Sequence, residues 1–305
     1  MNTGSFPLSP KPPYDIKSHL ESYSFGEPQP YIYSDSVWRR ALRLKDGSLM
    51  PVEVEIGRDV ESPALGVSIH SELADSQRQE TIKKIKWIFN TEYDLLPLYE
   101  FMDSDPLLGK VRDNHYGLKP AYFPTVYEGI IVAILQQQLS LKFASHMTWL
   151  IVQKFGEFVM TDSKEFWEFP SPEKLAEAHL EDLRECKLSR RKGEYIVNLS
   201  QAAARKDFDP ESLKNLSYEE ILQRLTSFRG LGRWTAEMVI VTSIGHDSTS
   251  PAGDLGTRKA ISRFYNKGEL MPEEEVRRIT EKWGKYKGII TYYLIAEHLH
   301  GRQTR

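Results

Sequence analysis

The sequence has one cysteine and no long apolar run, which excludes a disulfide framework, a four-cysteine metal site and a membrane-spanning helix. Cys186 is the single cysteine among 305 residues, so neither an intramolecular disulfide framework nor a four-cysteine metal site can form within the chain. The longest apolar run, residues 129–135, is far shorter than the roughly 20 residues that cross a bilayer. The N-terminal stretch also lacks the apolar core of a signal peptide. We therefore expect an intracellular protein that does not bind a membrane.

Charge and histidine spacing exclude little by themselves. The formal net charge is −3, which does not single out a nucleic-acid-binding protein, because only cations clustered on one face form an electrostatic footprint. The eight histidines show neither an HExxH motif nor another paired spacing typical of zinc ligands. The sequence therefore predicts no catalytic metal.

The periodicity of apolar residues changes along the chain. Residues 30–44 and 50–57 resemble strands, and the DGSL sequence between them is typical of a hairpin turn. Residues 76–90 repeat apolar positions at helical spacing. From about Tyr127 onward the patterns are helical, beginning with two apolar helices that are interrupted near residues 136–140. We predict a small antiparallel sheet with one or two helices, followed by a helical region.

The sequence SFRGLGRWTAEMV, residues 227–239, contains a Gly-x-Gly pair that three structures could explain. A dinucleotide-binding fingerprint would follow a strand and contain a third glycine, but Ala236 takes that place and a capped amphipathic helix precedes the pair. A helix C-cap explains Gly230 alone. A helix–hairpin–helix explains both Gly230 and Gly232, because backbone amides at the start of the second helix can bind a phosphate. The pattern favours this third interpretation.

One acid follows in a loop rich in proline and glycine. Asp254 directly precedes a basic helix in SPAGDLGTRKAI, where aspartate is a favoured N-cap. A carboxylate at a helix N-terminus is also stabilised in its ionised form by the helix dipole. Capping and a catalytic role are therefore compatible at Asp254.

Four stretches occur together in an order that resembles a known family. They are AILQQQLSLKFA, CKLSRRKGEYI, FRGLGRWTAEMV and SPAGDLGTRKAI. The chain resembles the helix–hairpin–helix–GPD superfamily of DNA glycosylases over about residues 127–299, and within it the 3-methyladenine DNA glycosylase II type.

The resemblance implies a mostly α-helical fold with an N-terminal α+β part, in which two helical subdomains flank a DNA-binding cleft. Residues 1–95 would form a small antiparallel-sheet domain. Residues 119–245 would form the helical domain with the hairpin. Residues 96–118 and 246–305 would form the second helical subdomain, which carries Asp254.

The resemblance also implies roles for residues of the base pocket. Asp254 falls on the catalytic aspartate of the family. Trp234 stands where members with lyase activity carry a lysine, which implies a monofunctional hydrolase. The base pocket would contain Trp234, Met238, Leu255 and Tyr127. Since Met238 and Leu255 replace aromatic residues of the family, this pocket would be less aromatic.

For DNA binding, the resemblance implies contacts from the hairpin and from a wedge that fills the space of the flipped base. Gly230, Gly232 and Arg233 would bind a phosphate, and Gln138 or Leu139 would form the wedge. The carbonyls of the hairpin at Thr226, Phe228 and Leu231 would bind a structural Na⁺ or K⁺, and catalysis would need no cofactor.

Together these features predict a monofunctional DNA glycosylase for alkylated purines of the 3-methyladenine type, which flips the damaged base and hydrolyses its N-glycosidic bond in base excision repair. We expect a monomer that binds double-stranded DNA containing damaged bases, in a cytoplasmic, nucleoid-associated or a nuclear location. Two alternatives remain. One is a glycosylase for oxidised, deaminated or mismatched bases, and the other is a helix–hairpin–helix DNA-binding protein without catalysis.

Overall fold

The computed structural model describes residues 4–23, 30–71 and 73–303. The described residues form an N-terminal sheet followed by a helical region, so the predicted mostly α-helical fold with an N-terminal α+β part is confirmed. Within this part of the chain, no helix is both long enough and apolar enough to cross a membrane.

The N-terminal sheet has five antiparallel strands in the order β1-β5-β4-β3-β2. Two helices, α1 (Lys17–Tyr23) and α2 (Asp75–Ile88), accompany it. A cluster of buried apolar side chains includes residues from all of β3, β4, β5 and α2. The strands are β1 (Gly4–Leu8), β2 (Ile32–Ser34), β3 (Val37–Arg43), β4 (Leu49–Ile56) and β5 (Leu65–Ile69).

The predicted hairpin between β3 and β4 is confirmed, with Arg43 opposite Leu49. The stretch at residues 30–44 holds a second hairpin, because Asp35 and Ser36 have φ values of 53° and 63° and reverse the chain between β2 and β3. Two successive residues with positive φ match the twist of paired strands.

The helical region contains twelve α-helices that the structure describes, with one small β-hairpin among them. The predicted interruption near residues 136–140 is confirmed, since α5 ends at Gln136 and α6 begins at Leu141. The helices are α3 (Leu96–Met102), α4 (Pro106–Asn114), α5 (Val126–Gln136), α6 (Leu141–Phe155), α7 (Pro172–Ala176), α8 (Leu180–Glu185), α9 (Arg190–Ala204), α10 (Tyr218–Thr226), α11 (Arg233–Val239), α12 (Leu255–Tyr265), α13 (Glu273–Glu281) and α14 (Lys287–Gln303).

The small hairpin was not predicted. It consists of β6 (Glu157–Thr161) and β7 (Lys164–Glu168). Its turn residues, Asp162 and Ser163, have φ values of 48° and 61°, which repeats the Asp-Ser turn between β2 and β3. Sequence reasoning missed it because such turns usually contain a glycine.

The helical region has two hydrophobic clusters. One is built around α5, α6, α9, α10 and α11. The other combines residues 95–118 with residues 252–294, which lie far apart in the sequence. The clusters support the three-part organisation, whose boundaries remain a prediction, and the outermost boundaries at residues 1 and 305 lie outside the described residues.

A buried ion-pair cluster joins the sheet to the helical region. Arg40 of β3 donates to both carboxylate oxygens of Glu128 on α5, at 2.9 and 2.7 Å, and also binds Glu168 of β7. Arg40 and Glu128 are each 1% exposed. Because each charge has partners, the cluster holds β3, α5 and β7 in one arrangement.

Candidate active site

Helices α10 and α11, together with the turn between them, form a helix–hairpin–helix. Ser217 and Glu220 form the predicted capping box at the start of α10. Gly230 has a φ of 91°, and a Cβ there would lie 2.2 Å from the ring of Tyr195. Glycine at position 230 is therefore required by the turn itself and by the packing of Tyr195 against it.

Gly232 is a different case. It is the N-cap of α11, with φ −95° and ψ −178°, values that any residue adopts. A Cβ at this position would have no described atom within 4 Å. The fold itself therefore does not require glycine here, whereas the close approach of an external group to the backbone would.

Asp254 is held through both of its carboxylate oxygens. Oδ2 accepts a hydrogen bond from the amide of Thr257 at 2.9 Å, which makes Asp254 the N-cap of α12. Oδ1 accepts a hydrogen bond from Nε1 of Trp234 at 3.1 Å. The structure therefore brings together Trp234 of the hairpin and Asp254 of the next loop, and the indole orients the carboxylate.

Two further predicted pocket residues lie on the same elements. Met238 follows Trp234 by one turn of α11 and is partly buried, and Leu255 directly follows Asp254 and is 50% exposed.

Tyr127 is not part of this group. Its side chain is buried in the core, its ring packs against Phe169, and its hydroxyl shares a 2.7 Å hydrogen bond with Ser200 of α9. We therefore remove Tyr127 from the proposed base pocket. Its place in the buried apolar cluster around α5 explains its aromatic character without a ligand.

Helix α1 contributes residues that sequence reasoning missed. Burial and the negative charge of Asp254 raise the pKa of Tyr23 to about 12. The ring of His19 lies 4.8 Å from that of Tyr23, and its Nδ1 is 2.8 Å from the hydroxyl of Tyr292 on α14. Burial lowers the pKa of His19 to about 4, so this imidazole is neutral at pH 7. Tyr23 and Asp254 are more than two hundred residues apart, and no local pattern connects them.

The interrupted segment between α5 and α6 contacts the hairpin. Gln138 is exposed and has a φ of 58°, and Leu139 beside it is 39% exposed. The preceding residue, Gln137, donates from Nε2 to the carbonyl of Gly230 at 2.8 Å and to Oγ1 of Thr235 at 3.0 Å. We call residues 136–140 the wedge loop. Gln137 links it directly to the hairpin.

Arg233, the first residue of α11, is 49% exposed at its side chain and binds a buried carboxylate. Its Nε donates to Glu237 at 3.0 Å, and the same carboxylate accepts from Arg277 of α13 at 2.8 Å. Arg233 is therefore fixed at the mouth of the hairpin.

The carbonyls proposed for a monovalent cation lie at the end of α10 and in the turn. The carbonyl of Phe228 accepts a hydrogen bond from the amide of Leu231 at 3.1 Å. Among the hydrogen bonds of the described residues, none reaches the carbonyls of Thr226 or Leu231. Carbonyl oxygens are the type of ligand that a hard cation such as Na⁺ or K⁺ takes, and the assignment of these three to such a cation stays a prediction. Among all the residues that the structure describes, no group of three His, Cys, Asp or Glu side chains could hold a metal.

Comparison with known proteins gives these features a family. Residues 131–285 match the family model described as HhH-GPD superfamily base excision DNA repair protein. The chain therefore belongs to the HhH-GPD superfamily of base excision DNA repair proteins.

Individual relatives agree with this assignment. A solved structure described as 3-methyladenine DNA-glycosylase from Archaeoglobus fulgidus has a TM-score of 0.85 and 33% identity, covering 95% of this chain and 97% of that one. DNA-3-methyladenine glycosylase of Bacillus subtilis is 29% identical over 218 residues, 72% of each chain. DNA-3-methyladenine glycosylase 2 of Escherichia coli is 30% identical over 180 residues, 59% of this chain and 60% of that one.

Proposed function

We propose that the protein is a monofunctional DNA glycosylase of the 3-methyladenine II type, which flips alkylated purines out of duplex DNA and hydrolyses their N-glycosidic bond. The observation that carries this proposal is the carboxylate of Asp254, held on one oxygen by the helix that it caps and on the other by Trp234 of the hairpin. A pure DNA-binding hairpin has no use for a carboxylate fixed beside its own phosphate-binding turn.

Binding begins at the hairpin. A backbone phosphate lies against the open side of Gly232, where the amides of Gly230, Gly232 and Trp234 and the positive end of α11 attract it. Arg233 adds a fixed positive charge. A cation held by the carbonyls of Thr226, Phe228 and Leu231 would stabilise the turn.

Flipping then transfers the damaged base from the stack to the pocket. Leu139 enters the vacated space, because an exposed apolar side chain on a tight loop can replace a base in the stack. Trp234 stacks on the flipped purine, and its electron-rich indole favours the positive charge of an alkylated base. Met238 and Leu255 form the rest of the pocket, and Tyr23 of α1 lies close enough to Asp254 for that charge to raise its pKa.

Hydrolysis follows at C1′ of the flipped nucleotide. As the bond between C1′ and the purine nitrogen breaks, its electron pair leaves with the cationic base, which departs neutral. The sugar becomes positively charged, and the carboxylate of Asp254 stabilises this charge. Water adds to C1′ and loses one proton, which leaves an abasic site. The glycosidic bond of a cationic purine needs little acid catalysis.

The test uses duplex DNA treated with a methylating agent. We expect release of free methylated purine, followed by strand cleavage only after heat and alkali. Duplex binding without base release would instead support a DNA-binding protein without catalysis.

Two further measurements test the remaining parts of the proposal. A panel of duplexes with oxidised, deaminated or mismatched bases tests the alternative substrates. Elution at the mass of one chain, 35.2 kDa, would support a monomer. This substrate would place the protein with chromosomal DNA, in a nucleoid or a nucleus.

The absence of lyase activity follows from the indole at position 234, which cannot form a Schiff base. We expect sodium borohydride to trap no covalent complex between the enzyme and DNA that carries an abasic site or an alkylated purine. A trapped adduct would show that another amine acts as the nucleophile and would contradict a monofunctional enzyme.

A further inference from the structure

The stretch CKLSRRKGEYI carries a lysine for which the proposed function has no use. Lys192 lies in the first turn of α9, and its Nζ donates to the carbonyl of Leu135 and to the carbonyl of Gln137, each at 2.8 Å. These carbonyls belong to the last turn of α5 and to the wedge loop. An ammonium group at this position satisfies carbonyls that the helix leaves without donors and complements the negative end of the α5 dipole.

The second connection runs from the wedge loop to the hairpin. The side chain of Gln137 donates to the carbonyl of Gly230 and to the hydroxyl of Thr235, so it bridges the turn and the first part of α11. The carbonyl of the same residue accepts from Lys192. The backbone carbonyl of Gln137 is therefore bound by Lys192 of α9, and its side chain is bound by the hairpin.

From this juxtaposition we infer that Lys192 and Gln137 form a brace that fixes the wedge loop relative to the hairpin, so that gripping the phosphate and inserting the wedge occur as one event. Both are positioning residues, since they act through Leu139 and the hairpin amides. The inference rests on the proposed function, because it assigns the stretch around Lys192 to the base-flipping step.

The local backbone explains why a brace is needed. Gln138 holds a φ of 58°, a conformation that costs free energy for a residue with a side chain, and the loop side chains at 138 and 139 are exposed. The backbone bonds from Gln137 to Ile134 and from Leu139 to Gln136 stay within the loop and the end of α5, whereas the bonds of Lys192 and of the Gln137 side chain tie the loop to α9 and to the hairpin. If the loop were free to move, ordering it would cost conformational entropy, and this cost would offset part of the free energy gained when the wedge enters the DNA.

The test measures the variant Lys192→Met, which keeps an unbranched side chain of similar length but removes the donors, on two substrates. One is an alkylated purine in a fully paired duplex, and the other is the same purine opposite an abasic site. An unpaired base is cheaper to flip, so it depends less on the wedge. We expect single-turnover base release to fall about tenfold or more on the paired duplex and by less than about threefold on the unpaired one, with affinity for undamaged duplex nearly unchanged. Gln137→Met should behave in the same way, and Lys192→Arg should restore part of the rate.

Arg191→Met is the matched control, because it removes a positive charge from the same turn of α9 without touching the loop. Any loss that it causes should be equal on the two substrates. Equal losses for Lys192→Met on both substrates would overturn the brace.

A second measurement does not depend on chemistry. Hydrogen exchange of the amides at residues 136–140 should be faster in Lys192→Met than in the wild type, while exchange in the core of α9 stays the same. Unchanged exchange in the loop would overturn the brace. If the wild type releases no base from either substrate, the proposed function fails, and hydrogen exchange still decides whether the brace exists.

Discussion

Asp254 performs two tasks that involve different oxygens, and a substitution can separate them. One oxygen caps α12, and the other accepts the hydrogen bond of Trp234. The capping oxygen stabilises the fold of the loop. The second oxygen lies beside Trp234, on which a flipped base would stack, so its negative charge would act on the proposed reaction.

We expect Asp254→Asn to fold and to bind DNA but to release base on the order of 100-fold more slowly or worse, because an amide cannot stabilise the developing sugar cation. Its carbonyl oxygen can still cap α12, so unfolding should cost only about 1 kcal/mol less than in the wild type. Affinity for duplex should be equal or higher, since a negative charge near the phosphates is removed. Single-turnover base release, thermal melting and duplex binding measure the three quantities.

Asp105→Asn is the matched control for this substitution. Asp105 caps α4 by accepting from the amides of Leu107 and Leu108, so the control repeats the loss of a cap charge at another helix. It should keep the wild-type rate of base release. If Asp254→Asn also kept that rate, Asp254 would be a helix cap only.

The predictability of site residues depended on their separation in the sequence. Trp234 and Asp254 lie within one short region with its own motif, and the structure joins them by a hydrogen bond. Tyr23 and His19 reach the same region through the packing of α1, which no periodicity encodes. Tyr127 was predicted for the same pocket, yet its hydroxyl bonds Ser200 of α9, because an aromatic residue in a buried helix looks the same in sequence whichever neighbours it packs against.

At the scale of the hairpin between α10 and α11, we expect substitution of the two glycines to have different effects on stability. Gly230→Ala should lower the free energy of unfolding by at least about 1–3 kcal/mol, since its φ is positive and its Cβ would overlap Tyr195. Gly232→Ala should leave stability within about 1 kcal/mol of the wild type. Thermal melting of the two variants checks this contrast.

DNA affinity should follow a different order from stability. Gly232→Asp should weaken binding about tenfold or more, on damaged and undamaged duplexes alike, because phosphate contacts carry no information about the base. Gly232→Ala should weaken it less. A folded Gly232→Asp variant with wild-type affinity would show that the open side of the turn faces solvent and not DNA.

At the scale of whole elements, the helix starts and the break between α5 and α6 could be predicted, because caps and periodicity are local. The β6–β7 hairpin could not. Its turn uses Asp162 and Ser163 at positive φ, and its strands owe their stability to contacts with β3 and β4. The Arg40 cluster likewise depends on three segments that meet only in the folded chain.

At the scale of the whole molecule, Asp247 links the pH to stability. It lies in the loop between the hairpin helices and Asp254, and the amide of Gly288 on α14 donates to its carbonyl. Burial raises the pKa of its carboxyl to about 6, and a hydrogen bond from Tyr93 opposes part of this rise. Burial is thus the dominant influence, and ionisation of Asp247 opposes folding.

The sign of this effect follows from proton binding. Between an unfolded pKa of about 3.9 and a folded pKa of about 6, the folded state binds more protons than the unfolded one, so the contribution of Asp247 to stability falls as the pH rises through 6. Above that pH, ionised Asp247 lowers the free energy of unfolding by about 2–3 kcal/mol. Asp247→Asn removes it, because an amide stays neutral and can still accept from the hydroxyl of Tyr93.

We therefore expect Asp247→Asn to be more stable than the wild type at pH 7.5, by up to about 2–3 kcal/mol, and to lose most of this advantage at pH 4.5. Urea unfolding of both proteins across this range measures the difference between them, in which the titrations common to both chains cancel. Asp46→Asn, a substitution at an exposed carboxyl of the β3–β4 turn, serves as the control and should show no such gain at pH 7.5. A constant difference between Asp247→Asn and the wild type would mean that Asp247 is already ionised below pH 4.5, held by partners other than Tyr93.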